Sequence, residues 1–264
     1  LSSHQINQLD QLRGLVLYGD DYTRAGAAKK FLESFAGSAR DSQRAAFMAL
    51  TRAGYIDEDE CLDLERASIP IEFDEATVAE ADAIAVAPPL EAPRRRDLTG
   101  LEVVTIDDKG TRDRDDGLSI EIESSDAGSA TVYKIGVHIT DAGAVVERES
   151  ALDVEADRRM STLYLPERTI SMLPPSVSAD KGSLNPGQQR AALSVMAQLD
   201  SEGEILDWEV VPSVVESRAA LPYEEVDAAL TNADAPMHES LTVLETLSRA
   251  MRTRREAAGA LNLE

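Results

Sequence analysis

The sequence predicts an α+β protein, with a small helical domain over residues 1–90 followed by a mixed α/β region over residues 91–264. Three observations predict it. Before residue 55 the apolar residues recur at helical spacing; between 88 and 96, prolines and an arginine triplet interrupt all periodicity; beyond 100, short β-branched runs alternate with helical patterns.

In the first region Ile6, Leu9, Leu12 and Leu15 mark one helix face, Ala28, Phe31, Leu32 and Phe35 a second, and Ala46, Phe47 and Leu50 a third, which Gly54 is placed to stop. With Tyr55-Ile56 and Ile69-Pro70-Ile71-Glu72-Phe73 supplying extended segments, the region fits a winged helix-turn-helix. A helical cap packed on the next domain fits equally well. Between Asp57 and Asp82, eleven acidic residues face one basic residue, Arg66, which reads as a solvated acidic face or linker. Pro88, Pro89 and Pro93 with Arg94-Arg95-Arg96 form the predicted domain boundary. Strands are then predicted at about 101–106, 118–123 and 131–139, a helix from about 151, strands near 192–200 and 205–216, and helices near 223–230 and 239–258.

Composition narrows the classes. An apolar content of 43% over 264 residues can fill a real core. The single cysteine, Cys61, excludes an intramolecular disulfide and a cysteine-based zinc site, and suits a reducing cytoplasm. His4, His138 and His238 show no metal-ligand spacing and read as structural or surface residues. With no run of 18 apolar residues and no basic leader before an apolar stretch, neither a membrane partner nor export is expected. The net charge of −23 weighs against nucleic acid as a partner, but Arg94-Arg95-Arg96, Arg158-Arg159 and Arg252, Arg254 and Arg255 are clustered and leave room for a local positive surface. The glycines fit neither a phosphate-binding loop nor a dinucleotide fingerprint.

The densest chemical signal is Asp107, Asp108, Asp113, Asp115 and Asp116, five carboxylates within ten residues between two predicted strands. Each raises the pKa of its neighbours unless cations lie between them. Mg²⁺, which takes oxygen ligands in octahedral geometry, relieves that repulsion, and aspartate is the shortest side chain that supplies such oxygens from a tight loop. An acidic solvated loop is the competing reading. A calcium loop of the EF-hand kind fails, because Lys109 falls on the second ligand position and Leu118 on the closing glutamate.

Further stretches join the loop in a fixed order. They are Ile135-Gly136-Val137-His138-Ile139-Thr140-Asp141-Ala142, Leu152 to Arg159, Ser161 to Pro174, Ser183-Leu184-Asn185-Pro186, Arg190, and Glu216 to Val226. The series resembles the catalytic domain of the ribonuclease II family, the RNB domain, from about Leu98 to the end of the chain. The resemblance implies a hydrolytic, Mg²⁺-dependent exoribonuclease that shortens RNA from its 3′ end and releases nucleoside 5′-monophosphates. It places the family's four aspartates on Asp107, Asp113, Asp115 and Asp116. Asp107, Asp113 and Asp116 would hold Mg²⁺, Asp115 would be essential to the chemistry, and Asp108 would be a spectator. Tyr164 and Tyr223 fall on tyrosines that approach the RNA.

Departures from the family pattern set further expectations. Gly117 stands where alanine is commoner and Gly182 where many members have cysteine; both are expected to be tolerated. The helical first region replaces the strand-rich cold-shock-like barrels of the best-known bacterial members, which suggests an entrance more tolerant of duplex RNA. The chain starts at Leu1 rather than Met and reaches Glu264 without the family's later Thr-Ser-Pro segment and phosphate-gripping arginine. It therefore reads as the N-terminal part of the catalytic domain, with the remaining half and an RNA-binding barrel as partners and no useful activity alone. A non-catalytic RNA-binding or scaffold fragment is the alternative; a nuclease with ligands spread over distant motifs is disfavoured because the carboxylates here share one loop.

Overall fold

The computed structural model describes residues 2–86, 94–123, 131–166 and 168–261. Pro88, Pro89 and Pro93, the prolines of the predicted boundary, lie outside the described residues. The chain forms two compact units, one of Leu1–Phe73 with Leu163–Ile170, the other of Asp74–Thr162 with Ser171–Glu264.

The first unit is built from α1 (Ser3–Tyr18), α2 (Ala25–Ala36), α3 (Ser42–Arg52) and α4 (Leu62–Arg66). Ser2 and Gln5 form a capping box at the start of α1, and the Asp41 carboxylate accepts from the Arg44 amide at the start of α3. Leu12 and Leu15 of α1, Ala28 and Leu32 of α2, and Ala46 and Leu50 of α3 form one buried cluster that Ile56 completes. The predicted faces hold at their centres and fray at their ends, where Ile6 and Phe35 are exposed.

Two readings of this region need correction. No strand forms over Tyr55-Ile56 or Ile69–Phe73, so the wing expected from those segments is absent. Ile56 is instead consumed by the helical core, Tyr55 bonds Asp10, and the Ile69 amide closes the end of α4 on the Leu64 carbonyl. Among the described residues the strands of this unit are β5 (Leu163–Tyr164) and β6 (Thr169–Ile170), a short hairpin from a distant part of the sequence. The acidic stretch is not a linker either. Arg13 is bound by both Glu60 and Glu65 at 2.6 Å, and the stretch continues into a regular helix, α5 (Glu75–Val86).

That helix moves the division between the units from near residue 90 to 73/74. Ala81 of α5 packs with Leu152 and Val177 of the second unit, and the Glu80 carboxylate accepts from the Leu152 amide at 3.0 Å, capping α6 (Ala151–Arg159).

The second unit carries β1 (Arg96–Asp97), β2 (Val103–Asp107), β3 (Asp116–Glu123), β4 (Val132–Thr140), β7 (Gln189–Leu199) and β8 (Ile205–Pro222). Their order is β1-β8-β2-β3-β4-β7 with a further β7–β8 pairing, so β8, β2, β3, β4 and β7 close into a barrel. Closure is possible because β8 is 18 residues long: residues 205–216 run antiparallel to β7, and 217–222 run parallel to β2. The sequence pattern finds its first part and misses the second, where Arg218, Ala219 and Ala220 carry no β signature. The helices α7 (Tyr223–Thr231) and α8 (His238–Ala257) follow as predicted. Leu244 and Leu247 of α8 cover the outer face of the barrel at Leu118, Ile120, Tyr133 and Ile135.

The barrel interior holds a polar chain. His138 is fully buried, with Nε2 2.9 Å from Ser119 Oγ and Nδ1 2.7 Å from Ser194 Oγ; Ser194 and Ser213 hydroxyls meet at 2.6 Å, and Ser213 Oγ donates to the Ala192 carbonyl at 3.2 Å. Gly136 makes room for it, since a Cβ there would lie 2.5 Å from both His138 Nε2 and Ser119 Oγ. The structural role expected for this histidine is the one found.

Candidate active site

The aspartates meet because the strands that carry them are neighbours. Asp107 is the last residue of β2 and Asp116 the first of the antiparallel β3, so the connection between them starts and finishes at one end of the barrel. Asp116 pairs with Ile139 of β4, and the Thr140 amide donates to the Asp115 carbonyl at 2.8 Å. Asp107 pairs with Pro222 of β8, which places Tyr223, the first residue of α7, directly beyond the strand that flanks the loop.

The four carboxylates share one electrostatic field. Burial holds the Asp107 carboxyl above the ordinary carboxylate range; the nearby Thr105 hydroxyl pulls it down, Asp116 and Asp113 push it up, and the Arg114 guanidinium opposes them. Asp115 is likewise raised, first by burial and then by Asp113, Asp116 and Asp107. Asp108 is exposed, and its carbonyl accepts the Thr111 amide in a turn at 3.1 Å.

Polar groups here are left without partners. Asp107 Oδ2, Thr105 Oγ1 and Arg114 Nε are buried and have no partner in hydrogen-bonding geometry, although the Thr105 hydroxyl lies close enough to Asp107 to favour its charged form. An under-satisfied buried carboxylate oxygen costs about 1–3 kcal/mol and leaves capacity for a ligand. Among the described residues, no three histidine, cysteine, aspartate or glutamate side chains converge on one point. That does not exclude Mg²⁺, which commonly takes one or two carboxylates and completes its octahedron with waters and substrate phosphates. The donor set, all carboxylate with one oxygen buried and unpartnered, fits such an ion. Asp107, Asp113 and Asp116, which the resemblance assigns to a metal, are the candidates, of which one or two suffice for such an ion.

A segment outside the loop holds the loop's backbone. Ser183 Oγ accepts from the Arg114 amide at 3.0 Å and donates to the Arg112 carbonyl at 2.9 Å; the Leu184 amide donates to the Arg114 carbonyl at 2.9 Å; Arg114 Nη1 donates to Asn185 Oδ1 at 3.0 Å. The segment is anchored by Arg190 of β7, whose Nε donates to the Asp180 and Ser183 carbonyls at 3.0 and 3.1 Å and whose Nη2 meets the Asp180 carboxylate at 2.7 Å. Gly117 fits closely under this lid: a Cβ there would stand 2.9 Å from Val103 Cγ1 and 3.1 Å from Leu184 Cδ1. The sequence pattern marked Ser183, Asn185 and Arg190 only as parts of motifs, and Arg114 not at all. The bonds that join Ser183 and Asn185 to Arg112 and Arg114 span about 70 residues of chain, beyond the reach of any local signal.

Of the two tyrosines, Tyr223 stands beside the aspartates at the head of α7 and is 52% exposed. Tyr164 belongs to the other compact unit, where it is 70% exposed on β5. Both present rings to solvent.

The family profile of the RNB domain matches residues 95–264. Over 198 residues, 74% of this chain, the sequence is 34% identical to Ribonuclease R of Chlamydia muridarum. It is 35% identical over 193 residues, 67% of this chain, to the Inactive exonuclease DIS3L2 of Arabidopsis thaliana. The chain spans 28% of the length of the first and 18% of the second. Among solved structures, RNase R of Mycoplasma genitalium is similar in its complex with ribose-methylated single-stranded RNA, with a TM-score of 0.67, 27% identity, and coverage of 76% of this chain and 31% of that one. Its complex with double-stranded RNA gives a TM-score of 0.59 and 25% identity over 84% of this chain and 37% of that one. The barrel with its aspartate loop therefore belongs to the RNB domain family.

Proposed function

We propose that the protein carrying this chain is a Mg²⁺-dependent hydrolytic 3′→5′ exoribonuclease that releases nucleoside 5′-monophosphates in the cytoplasm. The observation that carries the reading is the intact, mutually repelling set of Asp107, Asp113, Asp115 and Asp116 with one buried oxygen left unpartnered. A retired site has no reason to keep that electrostatic cost.

In this reading Asp107, Asp113 and Asp116 hold the cation. When bound, Mg²⁺ offsets the negative charge of the phosphodiester and makes water a stronger acid. Asp115 handles the proton of the attacking water as the phosphorus–O3′ bond breaks and the shortened RNA regains its 3′ hydroxyl. The exposed rings of Tyr223 and Tyr164 offer flat faces to any base, which suits sequence-independent digestion. The helical first unit, in place of strand-rich barrels, favours acceptance of structured RNA, and the known complex of a relative with double-stranded RNA supports that idea. This reading calls for further partners, a second half of the catalytic domain and an RNA-binding barrel; the chain spans 28% of the length of one relative.

A non-catalytic RNA-binding role is the second reading, favoured by one relative being an inactive exonuclease. One experiment separates them. The full polypeptide containing this chain is given 5′-labelled oligo(A) with Mg²⁺, and separately a hairpin with a short 3′ overhang. Expected are mononucleotide release, its loss in EDTA, and a fall in turnover on the order of a thousandfold in Asp115→Asn with RNA binding preserved. Turnover retained in Asp115→Asn would sink the assigned role, RNA binding without turnover in the wild type would establish the second reading, and stalling far from the duplex would remove the claim on structured RNA.

A further inference from the structure

Within the loop between β2 and β3 the Thr111 amide donates to the Asp108 carbonyl in a turn. The charges of Asp113, Asp116 and Asp107 act on Asp115 across it. Its backbone is also braced from outside, at a specific place. The Ser183 hydroxyl bridges the Arg112 carbonyl and the Arg114 amide, the peptide groups on either side of Asp113. The Leu184 amide then fixes the Arg114 carbonyl, the group immediately before Asp115. Ser183 and Leu184 are fully buried, so these bonds do not compete with water. Arg190 locks the segment from the barrel wall by holding the Ser183 carbonyl itself.

We infer that Ser183, with Arg190 behind it, is a positioning residue that sets the direction of the Asp113 and Asp115 carboxylates. The inference rests on the metal-dependent reading above for its consequence, although the hydrogen-bonded geometry stands without it. Like charges on a short connection spread apart when free. A hydroxyl that donates to one side of Asp113 and accepts from the other keeps the backbone from relaxing in that way. Groups that orient metal-holding side chains without touching the ion commonly change metal affinity by 10–100-fold when removed.

The test compares Ser183→Ala with Ser194→Ala in the chain. Ser194 is equally buried in the same barrel, but its hydroxyl serves the His138 chain and not the loop. Amide hydrogen exchange is followed at Arg114 through Asp116, and affinity for Mn²⁺ alone is read by electron paramagnetic resonance. Ser183→Ala is expected to speed exchange of the Arg114 amide and to weaken Mn²⁺ about tenfold. Ser194→Ala is expected to lower the melting temperature while leaving both readouts near wild type. Equal changes in the two variants, or none in Ser183→Ala, would overturn the inference. If the wild type binds no Mn²⁺, the metal reading falls instead, and exchange at Arg114 decides the positioning role by itself. Should Ser183→Ala fail to fold, Arg190→Lys keeps the charge and loses the fork to Asp180 and Ser183; an unchanged Arg114 exchange rate there would equally overturn it.

Discussion

Two polar clusters sit in the same barrel and are built on opposite terms. The interior chain of Ser119, His138, Ser194 and Ser213 runs through β3, β4, β7 and β8, with both imidazole nitrogens engaged and the end of the chain on the Ala192 carbonyl. The aspartate loop at the barrel end has Asp107 and Asp115 held above the ordinary carboxylate range by burial and by neighbouring aspartates, and buried atoms of Asp107, Thr105 and Arg114 without partners in hydrogen-bonding geometry. A satisfied network stiffens the barrel and leaves no valence for a ligand. An unsatisfied one costs stability and is retained where something else completes it. The contrast separates structure from site more sharply than burial does, since both clusters include buried atoms.

Breaking the interior chain should give the largest effect on stability. His138→Ala strands the hydroxyls of Ser119 and Ser194 beside a cavity, and a loss of about 3 kcal/mol is expected in urea unfolding. The wild type should also be acid-sensitive in a defined window. Burial pushes the His138 imidazole down to about 4, so between the ordinary value of 6.5 and that value the unfolded chain binds the proton and the folded one does not. Stability present above pH 6.5 is therefore lost as the pH falls toward 4, by up to about 3 kcal/mol. His138→Gln should flatten that slope; a slope unchanged in the variant would assign it elsewhere.

Relieving the aspartate loop should act in the opposite direction and more weakly. Asp115 has a raised folded pKa, so its ionised form destabilises the metal-free fold at neutral pH, and the penalty disappears as the pH falls through the carboxylate range. In metal-free buffer at pH 7, Asp115→Asn should therefore melt about 1–2 °C above wild type, with no advantage at pH 3. A lower melting temperature at pH 7 would mean that the loop is already satisfied. The smallest effect is expected from Asp108→Asn, whose carboxylate lies on the exposed turn: within about 0.5 kcal/mol in stability. A large loss of turnover in that variant would show that the spectator has been misassigned.

Much of this arrangement is legible in the sequence, and the particular residues show where legibility stops. The helices about Leu12, Ala28 and Leu50 and the strand about Ile120 follow from periodicity, because one face of each is buried against the rest, and the strand about Val103 follows from its β-branched run. The last six residues of β8 escape it, since a strand shared between two neighbours takes its register from pairing and not from an apolar face. The acidic stretch is a solvated face as one of its two readings has it, but not a linker. Its charge suggests solvent, and most of its carboxylates are exposed, but the stretch is structured: Arg13 answers Glu60 and Glu65, and Ala81 of α5 buries against Leu152 and Val177.

The site divides in the same way. By itself the sequence determined the chemistry available: four closely spaced carboxylates on a strand-to-strand connection, whose mutual repulsion is a property of local spacing. No helix among the described residues is long and apolar enough to cross a membrane. Only the tertiary structure decided which atoms lack partners, that Tyr223 stands beside Asp107, and that Tyr164 belongs to another unit. It also decided that Ser183, 69 residues from Arg114, holds the loop in shape. The physical reason is that charge repulsion acts between near neighbours along the chain, whereas hydrogen-bond satisfaction depends on which distant backbone and side-chain groups folding brings within 3 Å.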